Sequence, residues 1–160
     1  MGDVLTIDEA VERRKALAAD NKTLVFSNGC FDLFHAGHLD YLEKARQLGD
    51  ALFVGVNDDE ATRRLKGPGR PLISAVERAR LLAALTIIDG VIVFPGDTAI
   101  ELIQKLAPDI YAKGGDYHHK ILPEREIVEA LGGHVVLIDF VANHSTSNLL
   151  ARIKALPEDA

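Results

Sequence analysis

The sequence is short of cysteine, of excess positive charge and of long apolar runs, and each shortage closes off a class of protein. The lone Cys30 cannot form an internal disulfide, and no paired cysteine motif offers a structural zinc site. A reducing compartment follows, and the expected location is cytoplasmic. With 18 Lys and Arg against 24 Asp and Glu, the formal charge is −6, which argues against nucleic-acid binding through a basic face. A local basic pocket for a phosphorylated metabolite is still compatible with that balance. No apolar run approaches a membrane span, and Met1 to Arg14 carries acids and no signal-peptide core. Neither a membrane nor a nucleic-acid partner is expected. Linkers and low-complexity tracts are missing too, and Gly67-Pro-Gly-Arg-Pro71 is the one stretch rich enough in Gly and Pro to predict a mobile loop.

What is present reads as one globular domain. The 160 residues are 48% hydrophobic and 26% charged, enough for a single proper core. Thr6 and Glu9 form a capping-box pattern ahead of Ile7, Ala10, Val11 and Leu17 at helical spacing, so residues 1–22 are expected to carry an N-terminal helix ending near Ala19. Residues 23–156 read as an α/β core. Short β-rich runs at Thr23–Ser27, Leu52–Val56, Val91–Phe94, Ile110–Ala112 and His134–Ile138 alternate with helix-length segments. The helices are expected around Leu39–Leu48, Asp58–Leu65, Ser74–Leu85, Thr98–Leu106, Pro123–Leu131 and Asn148–Leu156. Near-continuous apolar strands separated by helices predict a doubly wound, Rossmann-like parallel sheet of five strands.

In such a sheet a ligand sits outside the carboxyl ends of the strands, so the loops that follow strands hold the chemistry. After the first predicted core strand the chain reads Asn28-Gly-Cys-Phe-Asp-Leu-Phe-His35-Ala-Gly37-His38 and enters a helix. Two imidazoles at a helix N-terminus can donate to a phosphoryl group whose charge grows during transfer, and Gly37 lets backbone and phosphate come close. A lone histidine there would read as a cap or a core hydrogen bond; two within four residues favour chemistry. None of His118, His119, His134 and His144 stands at zinc-like spacing with the pair, which argues against a metal centre. No metal ligand is assigned.

The segment Phe31-Asp32-x-x-His35-x-Gly37-His38 resembles the HxGH signature of the cytidylyltransferase-like nucleotidyltransferases. Three further segments, Arg64-Leu-Lys66-Gly-Pro-Gly-Arg70-Pro71, Lys113-Gly114-Gly-Asp116-Tyr117 and Ser145-Thr146-Ser-Asn148, narrow the match. Together they are similar to the adenylyltransferase domain of ADP-heptose synthases, over about Thr23 to Ile153, and a stand-alone form without the sugar-kinase domain that often accompanies it is expected. The resemblance implies transfer of AMP from ATP, with Mg²⁺, to D-glycero-β-D-manno-heptose 1-phosphate. A homodimer is left open.

Roles follow from the resemblance together with residue chemistry. His35 and His38 contact the phosphates in the transition state, and Lys66 neutralises charge from its Gly/Pro-rich loop, unless it and Arg70 are plain solvated charges. Phe31, Asp32, Gly37, Lys113, Gly114 and Asp116 are expected around the nucleotide, with Asp32 near the attacking phosphate or the metal. Arg70 and Arg78 are candidates for the acceptor phosphate, although a surface ion pair of Arg78 with Glu77 or Glu60 fits as well. Ser145 and Thr146 are expected to hold the β- and γ-phosphates and to cap the last helix. The family usually has glycine and a small residue before that pair. Here Asn143 and His144 stand there, and Asn tolerates the left-handed backbone that glycine adopts. His118 and His119 are either solvated or near the sugar, and Cys30 reads as a small packing residue. Two alternatives are a cytidylyltransferase acting on glycerol 3-phosphate or a related polyol phosphate, and a non-catalytic nucleotide-binding module. The first usually carries an Arg where Phe140 falls; the second has no need of the histidine pair.

Overall fold

The computed structural model describes residues 1–115 and 120–159, so Asp116, Tyr117, His118 and His119 lie outside the described residues. Its elements, in chain order, are β1 (Asp3–Val4), α1 (Ile7–Ala19), β2 (Leu24–Gly29), α2 (Ala36–Arg46), β3 (Ala51–Asn57), α3 (Asp59–Lys66) and α4 (Ala75–Ala83), followed by β4 (Gly90–Phe94), α5 (Ile100–Leu106), β5 (Ile110–Gly114), α6 (Arg125–Ala130), β6 (His134–Ile138) and α7 (Thr146–Lys154).

The central strands are apolar on both faces, and burial on both faces is what they show. Along β2, Leu24 and Phe26 enter one core cluster with Phe53, Ile92, Ile103 and Tyr111. Val25 enters the opposite one, with Leu42, Leu52, Val54, Leu82 and Ala112. Each fully buried aliphatic or aromatic side chain contributes about 1.5–3 kcal/mol, so helices on both sides are required to cover the sheet. Two helix starts carry the expected capping boxes, Thr6 with Glu9 in α1 and Ser74 with Glu77 in α4.

All strands are parallel, in the order β1-β4-β3-β2-β5-β6. Six strands stand among the described residues where the sequence pattern predicted five. The extra one, β1, is two residues long and exposed, too short for any period to register, and it forms by pairing Asp3 with Gly90 and Val4 with Val91. From β2 the chain builds outward through β3 to β4, then returns with β5 to the other flank of β2. Strand order reverses between β2 and β5, and loops part there to leave a crevice.

A second correction concerns Lys66. It is the last residue of α3, not part of the loop, and Gly67 takes the helix C-cap at φ 100°. The loop after it is pinned: the Asp32 carboxylate accepts hydrogen bonds from Leu72 N–H at 2.9 Å, Ile73 N–H at 3.1 Å and Arg70 Nε at 2.7 Å. Among the described residues no helix is long and apolar enough to cross a membrane.

Candidate active site

Two adjoining cavities open at the β2/β5 crevice, of about 280 and 230 Å³, and share His38, Lys66, Phe140 and Thr146. The larger lobe is walled by the end of β2 (Asn28 to Asp32), Arg70, Tyr41 and the end of β5 at Lys113 and Gly114. The smaller is walled by His35, His144, Ser145 and Ser147. A roomier, open hollow of about 610 Å³ beside Arg13, Asp50 and Asp89 lies at the amino ends of the strands, away from every strand-end loop. The crevice is the candidate site.

Its centre is the histidine pair. His35 is the N-cap of α2, and its Nδ1 accepts from Gly37 N–H at 3.1 Å. His38 sits three residues on, and its Nδ1 accepts from His35 N–H at 3.3 Å, which completes a capping box built of two imidazoles. The rings stack with centroids 3.9 Å apart. A ring nitrogen that accepts carries no proton, so in both neutral rings the hydrogen is on Nε2, free to donate. Burial pushes His38 down to about 4, helped by the neighbouring His35 and Lys66, and burial followed by the charge of His144 lowers His35. Capping and phosphate donation are therefore compatible: each ring spends Nδ1 on the helix and keeps Nε2 for a ligand.

Around the pair the field is positive. Lys66, Arg70 and Lys113 line the larger lobe, and Asp32, the one carboxylate among the described residues that lines either lobe, is committed to the 70–73 loop. Burial alone would raise the Asp32 carboxyl, but the hydrogen bonds from Leu72, Arg70 and Ile73 outweigh it and hold it below the usual range. Burial lowers Lys113, with Glu124 and Cys30 pulling the other way. An anion is what such a lobe accepts.

Other expected residues take definite places. Ser145 caps α7, its Oγ accepting from Asn148 N–H at 3.1 Å, and Thr146 Oγ1 donates to Asp32 O at 3.4 Å, which ties the helix N-terminus to the end of β2. Asn143 holds the preceding turn at φ 65°, the left-handed backbone expected of a glycine substitute. Phe31 is buried with its ring edge-on to His38, 5.5 Å between centroids, so it orients the imidazole.

Three expectations are corrected. Arg78 does not reach the cleft: its side chain is fully buried, and it donates to Ile73 O, Cys30 O, Asn57 O and Asp59 Oδ1, joining the segments after β2 and β3 to the loop before α4. Asp32 is not a free ligand for metal or phosphate but the anchor of the 70–73 loop. Gly37 makes room for protein and not for phosphate, since a Cβ there would meet His144 Cβ at 2.8 Å and His144 O at 3.0 Å. Residue patterning missed three walls of the cleft. Tyr41, one turn beyond His38, donates from its hydroxyl to Ala112 O at 2.9 Å and meets Phe140 edge to face, and the Phe140 ring closes over Gly114, where a Cβ would stand 2.8 Å from it. The third is His144. Asp116 lies outside the described residues.

The parallel sheet, the crevice at its switch point and the paired imidazoles at a helix N-terminus define a nucleotidyltransferase. Residues 26–150 match the model of the cytidylyltransferase-like family, and the chain belongs to that family. Among curated proteins it is 56% identical over 143 residues to the bifunctional protein HldE of Syntrophotalea carbinolica and 51% identical over 153 residues to that of Pelobacter propionicus. Those matches cover 89% and 91% of this chain but 28% and 31% of the relatives, so the chain spans under a third of their length. Among solved structures, a lipopolysaccharide core biosynthesis protein from Thermoplasma volcanium superposes with a TM-score of 0.61 at 26% identity, over 75% of this chain and 97% of that one. A pantoate-beta-alanine ligase from Francisella tularensis gives the same TM-score at 12% identity, over 96% of this chain and 77% of that one, which speaks to the fold alone.

Proposed function

We propose that this chain transfers AMP from ATP to a sugar 1-phosphate, D-glycero-β-D-manno-heptose 1-phosphate, with release of pyrophosphate and formation of ADP-heptose. The observation that carries the transfer reading is the convergence on one crevice of two Nε2–H donors, the Lys66 ammonium and the Ser145/Thr146 helix start. The choice of sugar rests on the combination of the HxGH, KGPGRP and KGGDY segments, and relatives at over half identity and a structural neighbour from lipopolysaccharide core biosynthesis are in keeping with it.

In this reading a phosphate oxygen of the acceptor attacks the α-phosphorus in line as the bond from that phosphorus to the bridging oxygen breaks, and pyrophosphate leaves with the electron pair. His35 and His38 donate to the oxygens on which charge accumulates, and being neutral they lose no proton first. Lys66 neutralises the same charge, and the α7 N-terminus receives the β- and γ-phosphates. Arg70 and Lys113 attract the acceptor phosphate into the larger lobe. The cleft offers imidazoles, cations and hydroxyls and no uncommitted carboxylate among its described residues, so Mg²⁺ would be held by the nucleotide phosphates, whose charge it would offset. The test is a screen of ATP, CTP, GTP and UTP against a panel of sugar and polyol phosphates by pyrophosphate release. Turnover confined to ATP with heptose 1-phosphate or a close analogue supports the assignment. Preference for CTP with glycerol 3-phosphate overturns the substrate choice, and no release with any pair returns the chain to a non-catalytic nucleotide binder.

A further inference from the structure

We propose that His144 is a further nucleotide-contacting residue, which grips the β- and γ-phosphates through Nε2 in its protonated form and thereby makes triphosphate affinity depend on pH. The proposal rests on the reading of the crevice as a nucleoside triphosphate site. His144 sits directly on the first turn of α2: the absence of a side chain at Gly37 is what admits its Cβ and carbonyl. From there it lines the 230 Å³ lobe together with His35, His38 and Thr146, immediately before the N-cap of α7.

The three imidazoles of this lobe are not alike. His35 and His38 accept on Nδ1, whereas His144 Nδ1 lies 3.0 Å from Ala142 O. A carbonyl oxygen only accepts, so this nitrogen carries the hydrogen and the neutral ring presents a bare Nε2. A lone pair repels phosphate oxygens; a second proton turns the same nitrogen into a charged donor, and histidine is the side chain that gains one near neutral pH. The groups facing it are His35 and His38 from α2 and Lys66 from the end of α3, none of them acidic, while its own segment carries Asp139. No acidic side chain among the described residues lines the lobe, so the bound triphosphate supplies the attraction. By linkage, proton and nucleotide then favour each other's binding.

The experiment is equilibrium binding to the whole chain of a non-hydrolysable β,γ-ATP analogue with Mg²⁺, and of AMP, at pH 6 and pH 8, for wild type and His144→Gln. Comparing the two proteins at each pH cancels the titration of the analogue itself. Wild type is expected to bind the analogue about tenfold more tightly than the variant at pH 6, the order of one charge-assisted hydrogen bond, and about equally at pH 8. AMP, which lacks both outer phosphates, should not distinguish the two proteins. A wild-type to variant ratio that is the same at both pH values, or an equal loss for AMP, overturns the proposal. Should both proteins ignore the ATP analogue and bind its CTP counterpart, the choice of ATP fails, and the pH ratio measured with the CTP analogue still decides the role of His144.

Discussion

A histidine at a helix N-cap has two jobs to divide between two nitrogens, and His35 shows the division. Its Nδ1 closes the α2 cap while Nε2 faces the crevice, where the proposed reaction puts phosphate, so the roles can be separated by mutation. His35→Asn keeps a good capping oxygen and removes the second donor: kcat should fall about 100-fold, as when an oxyanion donor is lost, with an almost unchanged melting temperature. His35→Ala loses both and should also cost about 1 kcal/mol of stability. A thermal melt beside a steady-state assay reads the two effects apart, and a His35→Asn enzyme of normal turnover would show the ring to be a cap alone. His38 adds a pH signature. In the unfolded chain a histidine binds its proton as pH drops through roughly 6.5, whereas the folded ring waits until about 4. Between those values acid favours the unfolded chain, so stability conferred by the neutral ring is complete above pH 6.5 and is lost progressively towards pH 4. Melting temperature plotted against pH should be less steep across that window in His38→Gln than in wild type.

At the scale of elements, the loop from Gly67 to Ile73 is where pattern and packing disagree. Its glycines and prolines predicted mobility, yet Asp32 reaches across from the end of β2 and Arg78 grips Ile73 O from below, so the loop is latched at both ends of its second half. Lys66, at the end of α3, already lines the cleft without a closing motion. Lys66→Met should therefore lower kcat by about 100-fold and leave stability nearly unchanged, in the range of a lost charge-stabilising group. Asp32→Ala should do the reverse of a simple active-site change: it strands the Arg70 guanidinium and two backbone N–H groups, costing about 3 kcal/mol, and it should expose the bond after Lys66 to trypsin. Equal cleavage rates in Asp32→Ala and wild type would show that the latch does not hold the loop.

For the molecule as a whole, the site lies at the β2/β5 reversal and β1 lies three strands away from β2, at the far edge of the sheet. Removing residues 1–4 deletes the β1 ladder and the bond from Gly2 N–H to Ala83 O, so the midpoint of denaturant unfolding should fall. The kcat of the folded fraction should be unaffected, because no strand end at the crevice is touched. A parallel loss of kcat in fully folded protein would mean that the edge strand communicates with the site.

By itself the sequence determined the alternation of strand and helix, the sides of the sheet to be covered, the capping boxes and the strand-end segments that line the crevice. These are local properties: apolar period, cap chemistry and turn residues act over a few positions, and they placed His35, His38, Ser145 and Thr146 at helix starts facing one crevice. Tertiary structure alone decided which groups are spent on the protein and which remain for a ligand. Arg78 and Asp32 look as available as Lys66 in the chain, but burial forces a charged group to find partners inside the fold, and their partners come from segments up to 48 residues away. The edge strand β1, the walls made by Tyr41 and Phe140, and the opposite proton positions of His144 and the α2 pair arise in the same way, from distant neighbours that no local pattern encodes.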